Sequence, residues 1–323
     1  MNVPDSVNSR PFETAETQRR AAVKPLPEPQ LAIIVPCYNS ERTIGDCLRA
    51  LLNQQTDIQF EIIVVDSSTD RTPEIVRVEF PAVRLIHLEQ RTFAGAARNI
   101  GVRATQSPIC LMIDSDCVAA LDLVERMMVR HGEQTYAAVG GALRNGTPRS
   151  VSGLVSYLIE FKEFMPTTPL RLESSVPTAN IAYRREVLER FGYFDEEMWL
   201  AEDVLFNWKL HRAGERILFD PMIEVTHLNR TGWSEVLSYQ VSLGRMSAIA
   251  RKRAGMPGKL LLDHPILLLL MPGVRTVRAM RWLAAHDRSL LLLFLCIWPL
   301  YLLAAGFWSY GFCLSALREC KNS

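Results

Sequence analysis

The stretch PICLMIDSDCVAA, Pro108 to Ala120, decides how the rest of the sequence is interpreted. Its apolar run from Ile109 to Ile113 has the length and composition of a buried strand. The run ends on Asp114-Ser115-Asp116, so two carboxylates follow the strand with one residue between them. Because burying unpaired negative charge is costly, these acids predict a cation or a polar ligand at this end of the strand.

Strand and helix patterns alternate along the first half of the chain. Short apolar runs predict buried strands at 31–36, 60–68, 83–88 and 108–114. Apolar residues at helical spacing predict helices at 40–54, 71–80, 92–105 and 121–131, with Ser40 as the N-cap of the first. Such alternation is typical of a parallel α/β sheet, which binds ligands at the carboxyl ends of its strands. We therefore expect Asp66 and Asp114 at one edge of the sheet.

Charge is balanced over the whole chain but not along it. Lysine and arginine number 36 against 35 acidic residues, which does not favour nucleic-acid binding. From Arg245 to Arg288, however, nine basic residues stand against two acids. Residues 289–317 follow without a charged side chain and are long enough for one membrane-spanning helix. The seven cysteines form no CxxC pair, which is typical of reduced thiols.

The acid pair itself favours a hard divalent cation. Mg²⁺ and Mn²⁺ prefer oxygen ligands and leave room for substrate phosphates. In an extended segment alternate side chains point the same way, so we expect both acids to reach one site. We assign Asp116 as the direct metal ligand and place Asp114 on a ribose or on a metal-bound water.

Six segments of the sequence, including the one with the acid pair, together resemble a known protein family. They are IIVPCYNSERTIGDCLRALLNQ (33–54), FEIIVVDSSTDRT (60–72), AGAARNIGVRAT (94–105), LMIDSD (111–116), ANIAYRREVLERFGYFDE (179–196) and AEDVLFNWKLHRAG (201–214). In order and spacing they resemble the family 2 glycosyltransferases, whose GT-A fold is an α/β nucleotide-sugar-binding fold with a mostly parallel central sheet. The resemblance covers roughly residues 31–230. No QxxRW motif of processive polysaccharide synthases is present, which favours addition of one sugar or a few.

The resemblance implies a role for individual residues. Asp203 becomes the catalytic base, Asp66 accepts a hydrogen bond from the base of the nucleotide, and His227 stands where some relatives supply a further metal ligand. Other residues implied in nucleotide-sugar binding are Pro36, Cys37, Tyr38, Asn39, Glu41, Arg98, Asp114, Asn180, Trp199 and Glu202.

The sequence and the resemblance together imply a domain organisation. We expect a disordered leader at 1–29, a GT-A catalytic domain at 30–235, basic interfacial helices at 236–288, a transmembrane segment at 289–317 and a tail at 318–323. Within the catalytic domain, residues 146–178 combine an amphipathic segment, VSGLVSYLIEFKEF, with a proline-rich loop, and we expect a mobile loop at the border of the site. Arg275, Arg278 and Arg281 recur every three residues, as in a helix lying on anionic lipid. The positive-inside tendency places the catalytic domain at the cytoplasmic face of the inner membrane.

The expected activity is an inverting, Mg²⁺- or Mn²⁺-dependent sugar transfer. The donor would be a nucleotide-diphosphate sugar and the acceptor a lipid-linked or cell-envelope glycan, with no nucleic acid involved. One alternative is a catalytically inactive membrane-bound scaffold of the same fold. Another is a nucleotidyltransferase, although VPCYNSERT after the first strand lacks the glycine-rich phosphate loop that this class requires.

Overall fold

The computed structural model describes residues 28–258 and 260–319. The predicted leader at 1–29 therefore lies outside the described residues except for its last two positions, and so do residues 320–323 of the predicted tail.

A mixed sheet of nine strands forms the centre of the catalytic domain. The strands are β1 (Leu31–Cys37), β2 (Phe60–Asp66), β3 (Arg84–His87), β4 (Ile109–Ile113), β5 (Cys117–Ala119), β6 (Ala138–Asn145), β7 (Arg171–Glu173), β8 (Asn180–Arg184) and β9 (Ile217–His227). Their order is β3-β2-β1-β4-β8-β6-β9-β5, with β7 also paired to β9. The first four strands in this order run parallel, as predicted, and β8 is antiparallel to both of its neighbours.

Helices surround this sheet and extend beyond it. They are α1 (Ile44–Leu52), α2 (Thr72–Glu79), α3 (Ala94–Arg103), α4 (Leu123–Glu133), α5 (Val151–Phe161), α6 (Arg185–Phe191), α7 (Glu202–Arg212), α8 (Trp233–Ala254), α9 (Leu260–Asp263), α10 (Met271–His286) and α11 (Arg288–Glu319). Because α1 and α3 pack on the sheet, β1 and β4 are buried throughout and read as continuous apolar runs. The predicted α/β GT-A architecture is confirmed.

Two local expectations are wrong. Helix α1 begins at Ile44 rather than Ser40, because the Ser40 carbonyl closes a turn by accepting from the backbone N–H groups of Thr43 and Ile44. The segment VSGLVSYLIEFKEF forms α5 and a short 3₁₀ helix at Lys162–Phe164 but is not amphipathic, and the loop expected after it contains β7. Helix α5 buries nearly every side chain, so its sequence lacks the polar face that marks a surface helix.

Helix α11 packs against other helices of the protein along most of its length. Its buried side chains recur every three or four residues: Phe294, Ile297, Tyr301, Ala304, Ala305, Trp308, Phe312 and Ala316. They contact α8, α5 and α10. The opposite side exposes leucines such as Leu292 and Leu303. Within the described residues, α11 is the one helix that is long and apolar enough to cross a membrane.

Glycines set the distance between α8 and α11. A Cβ added at Gly244 would lie 2.0 Å from the carbonyl oxygen of Trp308, and one added at Gly311 would lie 2.0 Å from that of Val241. The two backbones therefore touch where these glycines face the partner helix, as in small-residue helix pairs. By contrast, Gly306 in the same helix has no atom within 4 Å of an added Cβ.

We predict that Gly311→Ala destabilises the protein and that Gly306→Ala does not. The first substitution forces α8 and α11 apart, at a cost of about 1–3 kcal/mol for overpacking. The second leaves the interface unchanged and replaces glycine by a better helix former. Thermal unfolding of the detergent-solubilised chain measures both variants. Equal unfolding temperatures for the two variants would contradict the close packing of α8 and α11.

Candidate active site

A cleft of about 990 Å³ opens at the carboxyl ends of β1 and β4. It is lined by the loop after β1, the start of α3, the turn after β4, residues around 173–179, the start of α7 and one side of α8. The site residues that the sequence predicted and that line this cleft are Pro36, Cys37, Tyr38, Asn39, Arg98, Asp114, Asp116, Trp199, Glu202 and Asp203.

The loop after β1 forms a fixed shelf in the cleft. Asn39 adopts a left-handed backbone conformation with φ of 53°, which asparagine tolerates better than most residues. Its Oδ1 accepts from the backbone N–H of Thr69 at 3.0 Å, and its own N–H donates to Ser68 Oγ at 2.7 Å. These bonds leave the ring of Tyr38 half-exposed beside them, with the Arg91 guanidinium 4.4 Å from its centroid. The shelf thus presents an aromatic face to the cleft.

Two of the predicted nucleotide contacts lie outside the cleft lining. Glu41 is exposed and accepts from the backbone N–H of Arg71, which joins the loops after β1 and β2. Asp66 is fully buried, and its carboxylate bonds to His87 Nδ1 at 2.6 Å and to Ser68 Oγ at 2.5 Å. The nucleotide contacts of Glu41 and Asp66 stay predictions.

Asn180 also faces the interior of the sheet. Its Nδ2 donates to the carbonyl oxygens of Ala142 and Ile223, at 3.2 and 3.0 Å. These carbonyls flank the point where the pairing of β6 with β9 shifts register, between Gly141 and Ala142. The amide therefore satisfies backbone groups that the irregular pairing leaves free. A contact of Asn180 with the sugar stays a prediction.

Arg98 connects the end of β4 to the start of α7. Its guanidinium is 3% exposed and donates to Asp114 Oδ1 at 2.6 Å and to Glu202 Oε1 at 2.5 Å. Burial lowers the pKa of Arg98, but the two carboxylates more than offset that effect and raise it. Burial raises the pKa of Glu202 to about 7, against the opposing charge of Arg98. The predicted nucleotide-binding residues Arg98, Asp114 and Glu202 are thus one charge network.

The Asp-Ser-Asp segment is a tight turn, and the expectation of an extended segment is wrong. The backbone N–H of Cys117 donates to the Asp114 carbonyl at 3.0 Å, closing the turn between β4 and β5. In consequence the two carboxylates have different partners, Asp114 with Arg98 and Asp116 with His227.

Asp116 and His227 form a donor set that fits a divalent cation. Asp116 Oδ1 lies 3.5 Å from His227 Nε2, and the ligand atoms of Asp116, Cys117 and His227 all lie within 4.8 Å of one another. His227 Nδ1 contacts Asn229 Oδ1 at 3.1 Å. If Nδ1 carries the proton and donates to Asn229, the lone pair of Nε2 is free for a metal. Burial raises the pKa of the Cys117 thiol well above its ordinary value, so the thiol is a poor ligand.

Asp203 lies in the first turn of α7, two residues after an alanine with a left-handed backbone conformation. Ala201, immediately before the helix, has φ of 63°. This geometry directs the Asp203 Oδ2 atom towards the backbone N–H and the hydroxyl of Thr178, at 3.3 and 3.4 Å. Burial raises the pKa of Asp203. Trp199, which is 37% exposed, lines the cleft beside it.

The sequence analysis missed a second group of residues around Arg230. This arginine lines the cleft, its guanidinium lies 3.6 Å from the centroid of the Tyr239 ring, and its Nη1 lies 3.8 Å from Glu160 Oε2. Asp116 is among the charges that act on it. The only sequence signal was its position three residues after His227. Glu160 gave no signal, since it is one acid among the apolar residues of α5.

Comparisons with known proteins identify the family of this chain. Residues 32–192 match the family model described as Glycosyl transferase family 2. The chain is 25% identical over 222 residues to the glycosyltransferase AglE of Haloferax volcanii, covering 67% of this chain and 72% of AglE. It is 29% identical over 225 residues to the succinoglycan biosynthesis protein ExoO of Rhizobium meliloti, covering 65% of this chain and 64% of ExoO. The match therefore spans slightly less than two thirds of ExoO.

Solved structures show the same fold. The mannosyltransferase PcManGT from Pyrobaculum calidifontis, in complex with GDP-Man and Mn²⁺, superposes with a TM-score of 0.58 at 20% identity, covering 94% of this chain and 92% of that one. Staphylococcus aureus TarS 1–349 in complex with UDP-GlcNAc gives 0.53 at 22% identity, covering 90% and 92%. By the family model over residues 32–192 and its curated relatives, this chain belongs to glycosyltransferase family 2.

Proposed function

We propose that this protein transfers a sugar, with inversion at the anomeric carbon, from a nucleotide-diphosphate sugar to a lipid-linked or cell-envelope glycan. The observation that carries the proposal is that Asp203, Arg230 and Asp116 line one cleft. A base, a cation for a diphosphate and a metal-binding carboxylate are the groups that such a transfer requires. ExoO is named for succinoglycan biosynthesis, and PcManGT and TarS were solved with GDP-Man and UDP-GlcNAc, which supports a donor of this class.

The donor would lie along the carboxyl ends of β1 and β4. Tyr38 offers a half-exposed ring on which a nucleotide base can stack. Arg230, which is held over Tyr239, offers a guanidinium to the diphosphate. Arg98 would act indirectly, because it donates hydrogen bonds to Asp114 and Glu202 and would fix these acids at the rim of the donor site.

Asp203 would be the base. As the acceptor hydroxyl attacks the anomeric carbon, its proton passes to the Asp203 carboxylate and the bond from that carbon to the diphosphate oxygen breaks. Thr178 holds the carboxylate through its N–H and its hydroxyl. Trp199 would form a wall against the sugar or the acceptor.

Asp116 and His227 would hold Mg²⁺ or Mn²⁺. A cation bound there would neutralise negative charge on the departing diphosphate. Burial raises the pKa of Asp116, so a positive charge beside it stabilises its ionised form.

Helices α10 and α11 would hold the enzyme at a membrane. The outer side of α11 exposes apolar residues along its length, among them Leu292, Leu295, Leu303 and Tyr310. Arg281 of α10, which does not line the cleft, favours an anionic surface. We propose that this side contacts lipid at the cytoplasmic face of the inner membrane, with the cleft open to the cytoplasm.

We predict that Asp203→Asn abolishes transfer without abolishing donor binding. Loss of a general base lowers rates by roughly 10²- to 10⁴-fold, while the groups that bind the nucleotide remain. Release of nucleoside diphosphate from UDP-, GDP- and dTDP-sugars by membranes containing the full chain measures the rate, and calorimetry measures binding. Asp195→Asn, on the surface before α7, is the matched control and should keep its activity. Undiminished release by Asp203→Asn would refute the assignment.

The rate should fall on acidification at a higher pH than an exposed aspartate would produce. Asp203 must be ionised to accept a proton, and burial raises its pKa above the ordinary value of 3.8. The rate is therefore full above the raised pKa and is lost as the pH falls through it. A pH profile of kcat/KM checks this expectation. An acid limb at or below the pKa of an exposed aspartate would contradict it.

Removal of the metal ligands should weaken Mn²⁺ binding. Asp116→Asn and His227→Gln each remove one donor, and we expect a loss of affinity of about tenfold or more. Cys117→Ala is the matched control, because a protonated thiol contributes little to binding a hard cation. Calorimetric titration of the chelator-treated protein with Mn²⁺ compares the three variants. A loss of affinity confined to Cys117→Ala would overturn the donor set.

A further inference from the structure

The cleft extends beyond the base to a group of arginines contributed by the C-terminal helices. Arg251 of α8 and Arg275 and Arg278 of α10 all line it, and we call these three residues the arginine end. They are distinct from Arg230, whose charged neighbours are Glu160, Asp116 and Asp114. The cleft therefore holds two groups of cations, one beside Asp116 and one between α8 and α10.

The arginine end has more positive than negative charge. Among residues 28–258 and 260–319, neither Arg251 nor Arg275 forms an ion pair, whereas Arg278 pairs with Glu163 at 2.8 Å. Arg251 donates only to the carbonyl oxygens of Ser247 and Pro257, at 3.0 and 3.1 Å.

Arg251 and Arg275 line the same cleft and are partly shielded from water. Burial lowers the pKa of Arg251, and the charge of Arg275 lowers it further. Burial also lowers the pKa of Arg275, although the hydroxyl of Tyr301 opposes this effect. Arg275 lies over the ring of Trp308, 4.5 Å from its centroid, which fixes its plane. Glu163, which pairs with Arg278, is the carboxylate that acts on Arg275, so the three arginines still outnumber it and favour a bound anion.

An apolar groove of about 700 Å³ begins where the arginine end stops. It is lined along α10 by Leu270, Val274, Val277 and Trp282, together with Arg278 and Arg281. Arg278 lines both the groove and the cleft, so the two cavities meet at this side chain. Leu270, Val274 and Val277 are more than half exposed, which is unusual for three neighbouring apolar side chains. The arginine end and the apolar groove therefore adjoin each other.

We propose that the arginine end binds a phosphate group esterified to a lipid, so that the acceptor is a lipid-linked phosphate whose apolar chain lies in the groove. This inference rests on the proposed function and names the acceptor class for it. A guanidinium pair matches the oxygens of a phosphate, and the groove matches a hydrocarbon chain. The part of the acceptor beyond the phosphate then points along the cleft towards Asp203. A soluble neutral glycan would need neither the arginines nor the groove.

Calorimetric titration of the detergent-solubilised full chain with farnesyl phosphate tests the proposal. We expect farnesyl phosphate to bind about tenfold or more tightly than farnesol or inorganic phosphate. Arg275→Gln should remove this advantage, and Arg275→Lys should restore part of it, because lysine keeps the charge without the planar fork. Arg281→Gln is the matched control, since Arg281 lies on the same helix and lines the groove but not the cleft.

Titration with UDP and Mn²⁺ on the same samples separates this inference from the proposed function. Unchanged UDP affinity in folded Arg275→Gln supports the proposal. If Arg275→Gln weakens the binding of UDP as much as the binding of farnesyl phosphate, the arginine end binds the diphosphate of the donor and the proposal fails. If no nucleotide binds but farnesyl phosphate still depends on Arg275, the proposed function fails while the phosphate site stands.

Vesicles distinguish an acceptor from an ordinary membrane lipid. We expect binding to phosphatidylglycerol vesicles to be the same for Arg275→Gln and the wild type, because a headgroup at the membrane surface does not enter the cleft. Vesicle binding that depends on Arg275 as strongly as farnesyl phosphate binding does would assign the arginine end to phospholipid headgroups and overturn the proposal.

Discussion

The guanidinium of Arg98, held between Asp114 and Glu202, is the interaction on which the active site depends. Asp114 follows a strand in the first half of the chain, and Glu202 opens a helix 88 residues further on, as the two residue numbers show. Both carboxylates bond to one nearly buried arginine. Removing the arginine would leave the buried Glu202 and the partly exposed Asp114 without a cation, which is costly for the buried carboxylate. The bridge therefore joins the start of α7, which carries Asp203, to the turn after β4, which carries Asp116.

The C-terminal helices are part of the same site. Helix α8 lines the cleft from Glu235 to Arg251, and α11 packs closely against α8 at Gly244 and Gly311. A segment that the sequence marks only as apolar thus contributes Trp308, which underlies Arg275 in the cleft. Membrane attachment and catalysis would share one set of helices, since the opposite side of α11 exposes leucines.

The sequence predicted the fold better than the contacts of single residues. Alternating apolar runs and helical spacing specified the strands and helices on both sides of Asp66 and Asp114, because burial on both faces of a parallel sheet leaves a strong pattern. It indicated an amphipathic segment at 151–164, but α5 is buried almost all round and has no periodic polar face. It missed Arg230 and Glu160 because their proximity depends on the packing of α5 against α8.

By itself, the sequence determined that this chain is an α/β protein with acids at the carboxyl ends of its strands and a basic, apolar C-terminal region. These properties follow from local periodicity and composition, which each segment carries alone. Only the tertiary structure decided what each acid faces: Asp66 meets His87, Asp114 meets Arg98, and Asp116 meets His227. It also placed Arg275 in the cleft, whereas the sequence had indicated a helix that lies on lipid with its arginines. The physical reason is that the partner of a charge is chosen by the packing of elements distant in the chain.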